Sequence, residues 1–563
     1  MILTDALTIP ENTLIETEVC IVGAGAAGIT IAREFINQPY QVCLLESGGL
    51  NYEENTQSLA AGENVGVPYF PIKETRARQF GGSTNLWGGW SRPLDEIDFV
   101  YRSWMPYSGW PFAKAELDPY YQRAQNFCGL GAFKYDFSDW EEALNEIQRQ
   151  QLPFTGEDIL TCLWQIIPPS HLRFGQVYKS ELEQAKNINT IIHANVLKIE
   201  TNDTAQTVQR LRVATIDGKQ FWVQAKVFIL AVGGIENPRL LLNSNEVQSN
   251  GLGNQYDLVG RFFMEHPYLV SGKVVLSDAA PLYTQKNLQV NEVFVGTALG
   301  ISAAAQEREQ TLNFATRLLP IPEDWVDAIN RLKSKVQHLV GAEPAQSVYH
   351  KSFPSLHEGR RDYGEAPVSE DVLKVATNLH HVAARVYAKL FSKKFYSRQS
   401  NYCSMHLIGE QAPNPDSRIM LSSERDRLGL HQVKLDWRLS PIDKYTIVRS
   451  QELIAEAFER SGAGKYQIEL KDDDATWRSV IGSYHHIGTT RMSSNPREGV
   501  VNEQCQVYGI NNLYVTGSSV FPTSGLSNPT LTIIALAIRL ADHIKAQLDT
   551  SKLTKVLETT STK

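Results

Sequence analysis

Residues 18–22 form a short apolar, β-branched run (EVCIV), and the glycine-rich hexapeptide Gly23-Ala24-Gly25-Ala26-Ala27-Gly28 follows at once. Residues 29–35 are apolar and helix-like, and residues 40–45 make a second buried run that stops on Glu46. The pattern predicts strand, tight turn, helix, strand and a terminal acidic residue. Two more strand-like runs lie far downstream: residues 226–232 (KVFILAV) before Gly233-Gly234, and residues 512–516 (NLYVT) before Gly517. A long helix over residues 529–546 nearly closes the chain. The expectation is an α/β domain of Rossmann type, assembled discontinuously from three chain segments.

Each part of the first motif has a physical task. Gly23 permits the tight turn, Gly25 lets the backbone approach a pyrophosphate, and Gly28 allows helix and strand to pack closely. The helix N-terminus offers free N–H groups to the phosphates. Glu46 can accept hydrogen bonds from ribose hydroxyls, and its charge disfavours a 2′-phosphate. The motif alone does not separate FAD from NAD. No second fingerprint appears, so nothing calls for a separate NAD site.

The residues between these segments differ in character. Residues 271–475 carry alternating runs such as 432–437, and a helix is expected over 371–391. Its apolar positions Val372, Val375, Leu379, Val382, Val386 and Leu390 recur at helical spacing and predict a core-facing stripe. Lys389, Lys393, Lys394 and Arg398 gather near its end. A solvated, dipole-favoured helix terminus is the plain reading; a membrane-surface or acceptor-docking patch is the other. The tail, 550–563, is polar and expected to fray. The division predicted is a dinucleotide-binding domain over 1–100, 176–270 and 476–563, and a substrate domain over 101–175 and 271–475. The latter should hold an antiparallel sheet and helices, making the whole chain α+β.

Composition adds bounds. At 563 residues the chain exceeds the ~250–300 at which single cores stop growing. A net charge of -8 gives no basic footprint for nucleic acid. The six cysteines, with no Cys-x-x-Cys pair, suit a reducing compartment rather than a metal clip. Residues 1–17 lack a signal-peptide pattern, and no ~20-residue apolar run occurs, so no transmembrane segment and a cytoplasmic location are expected. Residues 531–541 come nearest, interrupted by Arg539. No His/Asp/Glu set has metal-ligand spacing, and no Gly-x-Ser-x-Gly elbow occurs. Other histidines, such as His380 and His381, sit in helical context and read as structural.

Separated blocks then resemble those of the glucose–methanol–choline (GMC) oxidoreductases, near the branch of pyranose oxidase and related sugar dehydrogenases. Besides the first motif these are residues 78–89 (RQFGGSTNLWGG), similar to the family's loop over the flavin, and 229–238 (ILAVGGIENP). Residues 259–267 (VGRFFMEHP) follow in the usual place, and then 484–492 (YHHIGTTRM), 517–522 (GSSVFP) and 528–532 (NPTLT). The resemblance spans nearly the whole chain. It implies an FAD-dependent enzyme, with cofactor contacts at Gly23, Gly25, Gly28, Glu46, Gly81, Gly82, Ser83, Asn85 and Gly88. It extends them to Val196, Gly233, Gly517, Ser518, Asn528, Pro529 and Thr530. Some pyranose oxidases attach flavin through a histidine where Asn85 stands, so FAD is expected to be non-covalent here. Thr84 stands where many members have Ala or Ser. The block 410–420, with Asp416 and Arg418, also looks similar to family sequence, without a role.

Alcohol oxidation needs a base for the hydroxyl proton, a hydride acceptor and a donor for the developing alkoxide. The resemblance places the base at His485, in the His-x-x-Gly-Thr register. His486 is the competitor, because only one of two neighbours faces a ligand if the segment is extended. Asn528 is the expected donor, and before Pro529 it also reads as a helix cap. The implied reaction is oxidation of a secondary hydroxyl of a sugar or glycoside, with hydride passing to flavin N5 and reoxidation by dioxygen or a quinone-like acceptor. A family lyase that keeps FAD structurally, oxidation of a non-sugar alcohol, and a non-enzymatic flavin-binding module are the alternatives.

Overall fold

The computed structural model describes residues 3–146, 151–154, 156–277, 288–321, 367–379, 401–470 and 473–561, with single positions between 328 and 382. The expected runs form strands β2 (Val19–Val22), β3 (Val42–Leu45), β5 (Val227–Leu230) and β6 (Leu513–Val515), completed by β1 (Leu3–Asp5) and β4 (Ile188–Ile192). They make one sheet in the order β1-β4-β3-β2-β5-β6. Every pairing is parallel. Residues of β2, β3 and β5 are buried on both faces, which is why these strands read as continuous apolar runs rather than alternating ones. β1 and β4 were not expected; three residues and five in a mixed context carry too little periodicity to stand out.

Helix α1 (Ala26–Glu34) follows β2, α2 (Gly233–Asn243) follows β5, and α3 (Thr530–Ser561) packs on α1. The tail expected to fray from Thr550 is instead a continuation of α3 through Ser561. No Gly or Pro occurs after Pro529, so nothing in the sequence stops the helix.

A second, antiparallel sheet runs in the order Gly464–Gln467, Tyr268–Leu276, Tyr402–Gly409, Phe314–Pro320, Val293–Ile301, Ile159–Ile166 and Trp90–Ser91. It has its own apolar core, which includes Leu269, Val274, Leu318, Met405, Leu407 and Phe458. The run expected at 432–437 is the strand His431–Asp436, between Arg418–Arg425 and Gly62–Asn64 in a small third sheet.

The helix expected over 371–391 is described as Val368–Thr377. Its supposed core stripe is not buried where it is described: Val372 is 51% and Leu379 60% exposed, and Val375 and Val382 are half-buried. The buried face is carried instead by Asp371, whose carboxylate pairs with Arg331 at 2.6 Å. His380, His381, Val386, Leu390 and the basic residues Lys389, Lys393, Lys394 and Arg398 lie outside the described residues. Among the described residues no helix is long and apolar enough to cross a membrane.

Candidate active site

The turns after β2, β3, β5 and β6 converge at the carboxyl ends of the parallel sheet, where an open α/β sheet places its ligands. They border a cavity of about 490 Å3. Three helices start on its wall: α1 behind Gly25, α2 behind Val232 and α3 at Thr530. Three helix N-termini aimed at one space make it attractive to anionic groups.

The glycines show what the space is for. A Cβ added at Gly25, Gly233 or Gly517 would meet nothing within 4 Å, so each leaves backbone open to the cavity. Gly28 is different: its Cβ would lie 1.8 Å from the Gly23 carbonyl oxygen, so it serves the packing of α1 on the turn. Gly23, Gly82, Ser83, Gly88, Val196, Ser518, Pro529 and Thr530 also border the cavity. Gly28, Gly81 and Asn85 do not. Asn85 is buried, and its amide donates to the carbonyls of Phe80 and Gly82 at 2.9 and 3.1 Å, holding the 81–85 turn together.

Glu46 lines the cavity, but much of its accepting capacity is already used. Oε2 takes the Ala24 N–H at 2.9 Å, and Oε1 takes the Gly48 N–H at 2.9 Å and the Ser47 hydroxyl at 3.2 Å. A carboxylate offers about four lone-pair positions, so roughly one remains for a ribose hydroxyl.

His485 and Asn528 meet on the cavity wall. The Asn528 amide nitrogen lies 3.4 Å from His485 Nε2. His485 Nδ1 faces His266 Nδ1 at 2.8 Å, and His266 Nε2 lies 2.8 Å from the Gly525 carbonyl oxygen. Burial, reinforced by the neighbouring His266 and His486, holds the His485 imidazole well below the ordinary histidine range. It is therefore neutral, with a nitrogen lone pair, at neutral pH. The capping expectation for Asn528 shifts by one residue: the first i to i+4 bond of α3 runs from Ile533 N–H to the Pro529 carbonyl at 2.9 Å. Asn528 thus precedes the cap position, and its amide is directed to His485.

His486 also borders the cavity, but its Nε2 is spent on the Tyr69 hydroxyl at 3.1 Å, and its ring packs against Phe263. Burial and the Arg76 charge push it down to about 3. The segment that carries both histidines is not a regular strand. Tyr484 takes a left-handed φ of 62°, rare for an aromatic residue, and stacks on Phe70 with ring centroids 4.3 Å apart. Glu265 secures that turn: one carboxylate oxygen accepts the N–H groups of Ser483, His485 and His266 at 3.0, 3.0 and 3.1 Å. The other accepts the Tyr69 hydroxyl. Burial nevertheless pushes the Glu265 carboxyl up to about 7.

The cavity wall also carries charge. Glu236 is shared by Arg76, Arg78 and Arg239, the last two at 3.2 Å, and Arg239 reaches on to Asp426 at 2.6 Å. Burial would raise the Glu236 carboxyl, but the three guanidiniums hold it well below the usual carboxylate range. Sequence reasoning assigned no role to this cluster, to Glu265 or to His266. The last two had a signal: two ionisable residues side by side inside an apolar run, FFMEHPYLV.

Residues 413–537 match the C-terminal family profile described as GMC oxidoreductase. The chain is 22% identical to a 2-methyl-1,2-propanediol dehydrogenase of Mycolicibacterium austroafricanum, over 94% of this chain and 95% of that one. It is 21% identical to a fructose dehydrogenase large subunit of Gluconobacter japonicus, over 95% and 98%. Among solved structures, pyridoxine 4-oxidase from Mesorbium loti shares the fold at a TM-score of 0.53, with 16% identity over 94% of this chain and 99% of that one.

Proposed function

Because the chain belongs to the GMC oxidoreductases, a family of FAD enzymes acting on CH–OH groups, we propose that it oxidises a secondary hydroxyl of a sugar or glycoside. FAD, when bound, supplies the hydride acceptor that this oxidation needs. The residues fit such a cofactor: open glycine backbone at Gly25, Gly233 and Gly517, three helix N-termini for anionic groups, and Glu46 with a lone pair to spare. Asn85, whose amide is turned into its own loop and cannot make a flavin linkage, supports non-covalent binding.

The observation that carries the reading is the His485–Asn528 pair at 3.4 Å on the cavity wall. His485 Nε2 takes the substrate hydroxyl proton, and the Asn528 amide donates to the oxygen on which negative charge develops. His486 and Tyr69 hold the wall behind them. Trp90 brings an indole from the antiparallel sheet to the cavity, an apolar surface on which the C–H face of a sugar ring packs. The similarity to a fructose dehydrogenase large subunit supports the sugar reading, and that to a 2-methyl-1,2-propanediol dehydrogenase keeps simple alcohols in the test panel.

Anaerobic mixing of the holoenzyme with a panel of sugars, glycosides and simple alcohols tests this. Loss of the oxidised flavin absorbance with a sugar is expected, and His485→Ala should slow it by about 10²–10⁴-fold while His486→Ala retains it. A panel that leaves the flavin oxidised sinks the proposal, and turnover without bleaching points to a lyase. Reoxidation by dioxygen or by a quinone then identifies the acceptor. Release of flavin on denaturation reads non-covalent attachment.

A further inference from the structure

We infer that His266 is a positioning residue that sets which nitrogen of His485 carries the proton, leaving the Nε2 lone pair on the cavity side. This rests on the reading of His485 as the base. A carbonyl oxygen only accepts, so the 2.8 Å contact between His266 Nε2 and the Gly525 carbonyl requires a proton on that Nε2. Gly525 is itself anchored: its N–H donates to Glu410 at 3.2 Å, and Glu410 is held by both terminal nitrogens of Arg102 at 2.6 and 2.7 Å. His266 is wholly buried, and burial pushes its imidazole down to about 4, so it is neutral with a lone pair on Nδ1.

His485 Nδ1 lies 2.8 Å from that lone pair and must bring the proton. A neutral imidazole protonated at Nδ1 has its lone pair at Nε2. The far end of the ring gives the same answer independently. Asn528 presents an amide N–H to Nε2 at 3.4 Å, which calls for an acceptor there. The other tautomer would set N–H against N–H at Asn528 and lone pair against lone pair at His266. Glu265 completes the grip by accepting the backbone N–H of His485 at 3.0 Å, so two consecutive residues hold its main chain and its ring.

The line of hydrogen bonds ends at a carbonyl, so it orients without conducting. A proton taken at Nε2 can leave only from the cavity side. The charged and titratable groups packed around the histidine pair include Glu265, Glu410, His486, Arg76, Tyr69 and Tyr484. None lies in the His485–His266–Gly525 line, so the tautomer is set by geometry rather than by a neighbouring charge.

Long-range 1H–15N correlation spectra of the holoenzyme, labelled at histidine ring nitrogens, read the tautomer directly. The His485 signals are identified by their loss in His485→Gln. The Nδ1–H form is expected in the unsubstituted enzyme. His266→Phe should give a mixture or the Nε2–H form and lower kcat by about 10²-fold or more, with KM roughly unchanged. His266→Gln, whose amide offers a donor and an acceptor, should restore both readouts. An Nε2–H form in the unsubstituted enzyme overturns the inference, as does an unaltered Nδ1–H signal in His266→Phe. If His266→Phe fails to fold, the unsubstituted spectrum and His266→Gln decide. Failure of the base reading looks different: His485→Gln would reduce its flavin at the unsubstituted rate whatever the tautomer.

Discussion

Replacing Gly25 and Gly28 separately by alanine should split one glycine motif into a ligand effect and a folding effect. At Gly28 the new Cβ would stand 1.8 Å from the Gly23 carbonyl oxygen. An ordinary contact is about 3.4 Å or more, so α1 must move away from the turn by over an ångström. Gly23 has close neighbours of its own, since a Cβ built there would stand 2.8 Å from the Ala231 carbonyl oxygen. Overpacking of this kind costs about 1–3 kcal/mol, and a backbone clash lies at or beyond the upper end. At Gly25 the backbone has φ -84° and ψ -163°, which any residue adopts, and the Cβ would meet nothing within 4 Å. Loss of glycine at the helix start is offset by the ~0.4–1 kcal/mol gained from a less flexible unfolded chain. Gly25→Ala should therefore fold like the unsubstituted protein. Its methyl, however, enters the cavity where α1 presents its free N–H groups. Loss of one such approach, about 1.4 kcal/mol or more, weakens FAD binding tenfold or more. Urea titration of the apo-protein reads the first effect and quenching of FAD fluorescence the second. Gly25→Ala with unsubstituted affinity, or Gly28→Ala with unsubstituted stability, refutes the reasoning.

Three further outcomes follow from the geometry. Asn528→Ala should retain FAD but reduce it about 10²–10³-fold more slowly, measured by stopped-flow, because a donor to developing charge is lost. Arg102→Met should cost roughly 3–5 kcal/mol in urea titration, since it leaves the Glu410 carboxylate buried and unpaired, 308 residues away in sequence. His266 has an ordinary value of 6.5 and a folded value of about 4, so the folded state binds fewer protons than the unfolded state between those limits. Its contribution to stability is present above pH 6.5 and is lost as pH falls towards 4, by ~3 kcal/mol in all. His266→Gln should show that much less acid loss than the unsubstituted protein, and an equal loss would contradict it.

Four of the six parallel strands and their glycine turns were legible because their causes are local. Residues 18–46 combine apolar runs, a left-handed Gly23 and a helix start within one stretch, and sterics between near neighbours decide all three. The helix of 368–377 was misread for the opposite reason. Its apolar spacing says only that one face differs from the other, and the ion pair between Asp371 and Arg331 turned the polar face inward.

At the site the division is sharper. Motif order in the sequence put the histidines of 484–488 and Asn528 together with the glycine turns, and His485, His486 and Asn528 do border one cavity with them. Both histidines border the cavity, and which of them turns a ring nitrogen to Asn528 was decided only by tertiary structure. A left-handed Tyr484, Glu265 gripping the main chain from 220 residues away, and Tyr69 claiming His486 all act across sequence distance. The protonation of His485 is more remote still, because it depends on a carbonyl at Gly525 reached through His266. Hydrogen-bond direction is a property of partners in space, and a linear pattern holds no record of them.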